Sequence, residues 1–183
     1  MSVLDSLQDS SLVKTGAYIN GEWVTSDSGE CFPVYNPATG ELLAEVANCG
    51  ATETARAVSA AEAAWPAWRS LAAKDRATAM RRWYDLMMAN VEDLAIIMTA
   101  EQGKVLAESR LEVAYGASFI EWFAEECKRV YGDVIPAPQT DRRAVVIRQP
   151  VGVTAAITPW NFPNAMIARK AGPALAEIGR AHV

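Results

Sequence analysis

The stretch VGVTAAITPWNFPNAMIARKAGPALA, residues 151–176, decides the fold. Val151–Thr158 is an apolar run without polar alternation, the pattern of a strand buried on both faces in a parallel sheet. Pro159–Pro163 interrupts it as a loop, and Asn164–Ala176 resumes at helical spacing. Strand, loop and helix in that order open a β-loop-α unit. Open α/β sheets place ligands at the carboxyl ends of their strands, which is where Trp160 and Asn161 stand. The Asn161 amide has two donor hydrogens. A donor of that kind aimed at a carbonyl oxygen stabilises an oxyanion. Taken alone, an Asn between Trp and Phe-Pro reads first as a turn residue.

Working back from this unit, Gly132 and the prolines at 136 and 138 read as a break, and RAVVIRQP, 143–150, as a strand. A long helix is expected over about 105–130, with Leu111, Tyr115, Phe119, Trp122 and Val130 on one face and Glu108, Glu112, Glu121 and Glu125 on the others. VEDLAIIMTAEQGK reads as a shorter helix closed by Gly103. Another helix is expected over 73–89, where Met80, Trp83 and Met87 recur every three or four residues as a core stripe. The helix beginning near Thr52 carries Val58, Ala61, Trp65 and Trp68, with Pro66 expected to end or kink it. Residues 17–46 read as short antiparallel strands, because Asn20-Gly21 supplies the positive φ angles of a hairpin turn and NPATGE, 36–41, supplies a second turn. Residues 1–16 read as a flexible amino-terminal arm or short helix.

Composition narrows the function. The chain has 183 residues, a formal net charge of −5 and 51% hydrophobic residues. That charge argues against nucleic acid, whose phosphates need clustered cations. No run reaches the roughly 20 apolar residues of a membrane span, and the amino terminus lacks the basic-then-apolar pattern of a secretory signal. Three unevenly spaced cysteines, Cys31, Cys49 and Cys127, form neither a disulfide framework nor a zinc pattern and fit a reducing cytoplasm. The single histidine, His182, leaves no basis for a histidine metal site or a Ser-His-Asp triad.

Five motifs in order, INGEW, NPATGE, EQGK, SFIEWFAEECKRVYGD and QPVGVTAAITPWNFP, followed by KAGPALA, cover about residues 17–176. Through them the chain resembles the aldehyde dehydrogenase superfamily, and within it the succinate-semialdehyde dehydrogenases. The resemblance implies an α/β fold: the amino-terminal part of the aldehyde dehydrogenase fold, truncated. It comprises β-hairpins, helices and the first strand of a Rossmann-like sheet, with oligomerisation strands near 141–150. It implies NADP or NAD as cofactor, lined by Ile157, Thr158, Pro159, Trp160 and Asn161. Asn161 takes the oxyanion-hole role. Phe162 and Met166 line the aldehyde tunnel, and Arg169 binds the distal carboxylate of the substrate. A guanidinium clamps a carboxylate with two parallel bonds. Without the resemblance, Arg169 reads as a surface charge beside Lys170.

The implied reaction oxidises succinate semialdehyde to succinate. A cysteine thiolate adds to the aldehyde to give a thiohemiacetal, hydride leaves to form a thioester, and a glutamate-activated water hydrolyses it. The family's nucleophilic Cys and its Glu base lie beyond these residues, and none of Cys31, Cys49 and Cys127 takes their place. These 183 residues are therefore expected to be inactive alone. The implied partners are a small-molecule aldehyde and further copies of the chain in a dimer or tetramer, with neither nucleic acid nor membrane. Two alternatives stay open: another ω-semialdehyde such as glutarate semialdehyde, or a non-catalytic module that pairs through exposed strands.

Residues 177–183, EIGRAHV, depart from the small-residue pattern before them. Their codons can be written to reproduce a common sequencing-library adapter in frame. They are expected to be a non-native tail translated from that adapter, with a genuine internal deletion as the rival reading.

Overall fold

A computed structural model describes residues 3–177 and 180–182. β1 (Ala17–Ile19) and β2 (Glu22–Val24) pair antiparallel around Asn20 and Gly21. Both turn residues have positive φ, 53° and 88°, as a type I′ turn requires. β3 (Cys31–Tyr35) and β4 (Leu42–Ala47) form the second hairpin. Its turn is stabilised by the Asn36 side chain, which accepts the Ala38 N–H at 2.9 Å. The Ala47 N–H donates to the Thr15 carbonyl at 2.8 Å and joins the two hairpins. Ahead of them lie two 3-10 turns, Val3–Ser6 and Ser10–Leu12. The Gln8 and Asp9 N–H groups between these turns donate to the Asp93 carboxylate at 3.0 and 2.8 Å.

Four helices follow: α1 (Ala51–Ser70), α2 (Ala73–Ala89), α3 (Val91–Gln102) and α4 (Leu106–Glu126), the last extended by a 3-10 turn at Cys127–Arg129. α3 stops at Gly103, whose φ of 73° reverses the chain. α1 runs on to Ser70, past Pro66, which the sequence expects to end or kink it. A helical proline removes one backbone bond, but here the final turn is held by one contact from a later helix and one within α1. The Trp68 indole N–H donates to the Leu175 carbonyl at 3.1 Å, and Arg69 stacks 4.7 Å from the Trp65 ring centre.

The main core joins Met80 and Met87 of α2, Ala117, Ile120 and Ala124 of α4, Cys127, and Ala168 and Ala176 of α5 (Pro163–Ala176). The apolar face expected of α4 is only partly its buried face: Leu111 is 71% exposed and Trp122 62%, while Phe119 packs against the core. The buried seam carries Ser109, Glu112, Val113, Gly116 and Ala117 instead. The cause is the neighbour. α5 presents Ala165, Ala168, Ala171 and Gly172, so the two backbones approach closely at Gly116, while Ile120 and Phe123 fill the space over Gly172. A Cβ on Gly116 would run into the Asn164 side chain and lie 3.2 Å from Ala165 Cα.

β5 (Asp133–Pro136) and β6 (Arg143–Val146) form a third hairpin. The region expected to be a break is therefore partly strand. Pro136 opposes Arg143 next to the loop, where its missing N–H costs little. β7 (Val153–Ala155) is shorter and more open than the expected buried strand, and Ile157 beyond it is 91% exposed. Burial of a parallel strand comes from neighbours on both sides. Among the described residues β7 has one, the parallel β8 (Arg180–His182). The adapter-tail expectation for 177–183 falls partly on residues 178, 179 and 183, which lie outside the described residues.

Candidate functional site

The loop from Ile157 to Phe162 leaves the carboxyl end of β7 and enters α5 at Pro163, whose fixed φ suits the first turn of a helix. The side chain of Trp160 is 82% exposed and Asn161 is exposed too. Their backbone faces the other way, toward the corner where α3 meets α4. The Gln102 amide donates to the Trp160 carbonyl at 2.5 Å, and Lys104 Nζ donates to the Asn161 carbonyl at 3.0 Å. Lys104 Nζ also lies 4.2 Å from the centre of the Phe162 ring, a cation–π contact. The loop is thus held from behind by two of its carbonyls, with the Trp160 and Asn161 side chains exposed on the other side.

Behind Lys104 sits Glu112. It is a charged residue only 3% exposed, and Lys104 pairs with its Oε2. Its other oxygen accepts the N–H groups of Asn164 at 3.0 Å and Ala165 at 3.3 Å, in the first turn of α5. Those are donors that a helix start leaves without intrahelical partners. A negative charge there also favours the helix dipole. One buried carboxylate therefore joins α4, the segment after α3 and the entrance of α5.

Phe162, Met166 and Arg169 follow at helical spacing along one side of α5. Long side chains on a helix lean back toward its amino end, and Arg169 lies 5.7 Å over the Phe119 ring of α4. Among the described residues Arg169 pairs with no carboxylate, whereas Arg56, Arg81, Arg110 and Arg129 each do. The structure so gathers Trp160, Asn161 and Phe162 at one loop, with Met166 and Arg169 running away from it. Ile157, Thr158 and Pro159 occupy the strand exit. Reading the sequence for site residues missed Gln102, Lys104 and Glu112. In the sequence EQGK stands only as a family motif, and Glu112 falls with Glu108, Glu121 and Glu125 off the expected apolar face. Its place among Ser109, Val113 and Gly116, on the small-residue face, was the available signal.

The cysteines stay apart from this loop. Cys127 is buried in the core with its Sγ 3.6 Å from Met80 Sδ, and burial raises its pKa although Arg76 nearby opposes the shift. A thiol pushed upward is not poised as a nucleophile. Cys31 and Cys49 lie in the hairpin region and are free. Among the described residues no cluster of His, Cys, Asp or Glu could hold a metal ion, and no helix is long and apolar enough to cross a membrane.

Comparison with known proteins decides the kinship. The model of the aldehyde dehydrogenase family matches residues 23–179. The chain belongs to the aldehyde dehydrogenase family. It is 61% identical over 170 residues to glutarate-semialdehyde dehydrogenase of Pseudomonas putida and 61% identical over 170 residues to the NADP(+) succinate-semialdehyde dehydrogenase of Escherichia coli. Each alignment covers 93% of this chain and 35% of the relative. The crystal structure of succinate-semialdehyde dehydrogenase from Burkholderia pseudomallei superimposes with a TM-score of 0.94 at 59% identity, over 96% of this chain and 36% of that one. The chain thus has the α/β fold of the amino-terminal part of an aldehyde dehydrogenase and spans about a third of the length of these relatives.

Proposed function

We propose that the chain is the amino-terminal part of an NAD(P)-dependent aldehyde dehydrogenase. Its substrate is a short aldehyde with a carboxylate at the far end, succinate semialdehyde first and glutarate semialdehyde as the alternative. The observation that carries the reading is the pair of equally similar relatives, 61% identical each, named for those two semialdehydes. Their substrates share an aldehyde and a distal carboxylate and differ by one methylene.

In this reading Asn161 donates its side-chain amide to the oxygen of the reacting carbonyl. Support comes from its exposure and from the Lys104 bond to its carbonyl, which fixes the backbone while leaving the amide outward. Phe162 and Met166 line the aldehyde path. Arg169 receives the carboxylate, roughly 10 Å along the helix axis from Phe162. Its side chain leans back to shorten that span. The exposed Ile157 and Trp160, with Thr158, Pro159 and the exposed Asn161, offer a surface for the planar nicotinamide ring of NAD or NADP. When bound, that group supplies the hydride acceptor. The exposed Val134, Val145 and Ile147 of the third hairpin support a role in homo-oligomer contacts, as dimer or tetramer. The free cysteines support a cytoplasmic setting. Residues 1–16 serve as the arm, and 17–176 as the start of the cofactor domain with its oligomerisation strands.

The test uses the chain carried through the remaining portion of the Escherichia coli relative. That enzyme is expected to form NAD(P)H from succinate semialdehyde with a higher kcat/KM than from butanal. The isolated 183 residues are expected to form none. Equal use of butanal would remove the carboxylated-substrate reading.

A further inference from the structure

We infer that the Lys104–Glu112 ion pair is a positioning device that sets where the Asn161 loop stands relative to α5, and that both are positioning residues for the oxyanion step. This deepens the proposed function and rests on it. Four contacts converge on the pair. Lys104 holds the Asn161 carbonyl and lies against the Phe162 ring. Glu112 holds the Asn164 and Ala165 N–H groups. The pair thereby grips the chain on both sides of the Phe162–Pro163 link. Moving it shifts the loop and the helix start together.

Its placement is costly if stability were its only role. The Lys104 side chain is 13% exposed and the Glu112 side chain 1%. An ion pair so deeply buried loses hydration that its attraction does not reliably repay, and apolar residues of similar size often stabilise as well or better. Four other ion pairs show the contrast: Arg56–Asp27, Arg81–Glu121, Arg110–Glu92 and Lys128–Glu125 all have side chains more than 40% exposed. None of them reaches the loop. Among the described ion pairs, only the buried one touches backbone on both sides of the Phe162–Pro163 link, next to the oxyanion donor. An oxyanion donor works only from the correct distance, and a misplacement of about 1 Å costs on the order of a hundredfold in rate.

The experiment uses the same completed enzyme and three variants: Lys104→Met, Glu112→Gln and the two combined. Lys104→Met keeps the length of the side chain and removes the donor. It is expected to lower kcat at least tenfold for succinate semialdehyde and for butanal alike, with KM changed less than twofold. Backbone amides in the 158–166 segment are expected to exchange with deuterium faster, while those of α1 keep their rates. Glu112→Gln should change the same amides, those of Asn164 and Ala165 most. In the double variant neither charge is left unpaired, so the thermal midpoint is expected to return toward the parent value while kcat stays low. That split separates positioning from stabilisation. Arg110→Gln, on the outer face of α4, is the control and should leave kcat unchanged. If kcat recovers together with the thermal midpoint, the pair is only structural and the inference falls. It falls as well if Lys104→Met leaves both kcat and exchange in 158–166 unchanged. If the parent enzyme oxidises no aldehyde, the proposed function fails instead. The exchange rates then decide the pair alone: faster exchange confined to 158–166 upholds it, and unchanged exchange overturns it.

Discussion

Two glutamates, Glu53 and Glu112, are buried at helix entrances and do opposite jobs. Glu53 is local. From the third position of α1 it reaches back to the Gly50 N–H at 2.8 Å, and across to the Asp27 N–H at 2.7 Å. Glu112 is remote. It belongs to α4 and serves the first turn of α5, more than fifty residues later in the chain. A local cap stabilises the helix it belongs to. A remote cap fixes one helix against another, and so fixes the loop between β7 and α5. The comparison teaches that the backbone of the candidate oxyanion donor is held from within this chain, on the packed side of the loop, while its side chain stays on the exposed side.

The largest expected effect measures what the remote cap protects. In the completed enzyme Asn161→Ala should lower kcat by about a hundred- to a thousandfold, the usual cost of one oxyanion donor. The loss should be the same for succinate semialdehyde and butanal, since both develop the same charge. A loss confined to one substrate would mean that Asn161 recognises rather than reacts. Arg169→Ala ranks next. Loss of a charge-assisted contact costs about 1.5–3 kcal/mol, or roughly ten- to a hundredfold in kcat/KM. It should fall on succinate semialdehyde and spare butanal. Equal losses would remove Arg169 as the carboxylate clamp.

The same contrast explains what was legible in the sequence. Local devices were readable: Asn20-Gly21 as a hairpin turn, Gly103 as the end of α3, and the Met80 and Met87 stripe as core. The family was readable from motif order. The grip on the loop was not, because Gln102, Lys104 and Glu112 meet Trp160, Asn161 and Asn164 only after α4 and α5 pack together. Leu111 and Trp122 misled for a related reason. Their size promised burial, yet they lie off the buried face of α4, which carries Val113, Gly116, Ala117 and Ile120.

Gly116 offers a way to break the remote arrangement without touching a charge. Gly→Ala within a helix normally stabilises by about 1 kcal/mol. At Gly116 the new methyl meets the Asn164 side chain and the α5 backbone, and overpacking of that kind costs about 1–3 kcal/mol. The net effect of Gly116→Ala should be destabilising, and it should lower kcat by moving the start of α5 off Glu112. Gly172→Ala is the matched control. Its methyl would lie 3.2 Å from the Phe123 ring edge, a side chain that can shift, so the two terms should nearly cancel. Chemical denaturation of the two variants checks the difference. Equal midpoints would mean that the seam yields at Gly116 as readily as at Gly172.

The smallest expected effect belongs to the local cap and appears as a dependence on pH. The Asp27 N–H, followed by the local α1 backbone and Gly50, holds the Glu53 carboxyl below its ordinary value of 4.5. A carboxyl depressed in the folded state contributes stability that is complete above that ordinary value and is lost as pH falls through the lower folded one. Glu92 and Glu125 are also depressed, through hydrogen bonds from Arg110 and Lys128 in exposed ion pairs. Salt screens those pairs more than it screens hydrogen bonds from backbone N–H groups to a buried carboxylate. Thermal midpoints of the parent and of Glu53→Gln, measured in high salt from neutral pH downward, should therefore differ near neutrality and converge in acid. The convergence should lie below pH 4.5, where the parent carboxylate takes up its proton and loses its advantage over the amide. Two curves that stay parallel through that range would show that the charge of Glu53 adds nothing to what its hydrogen bonds supply.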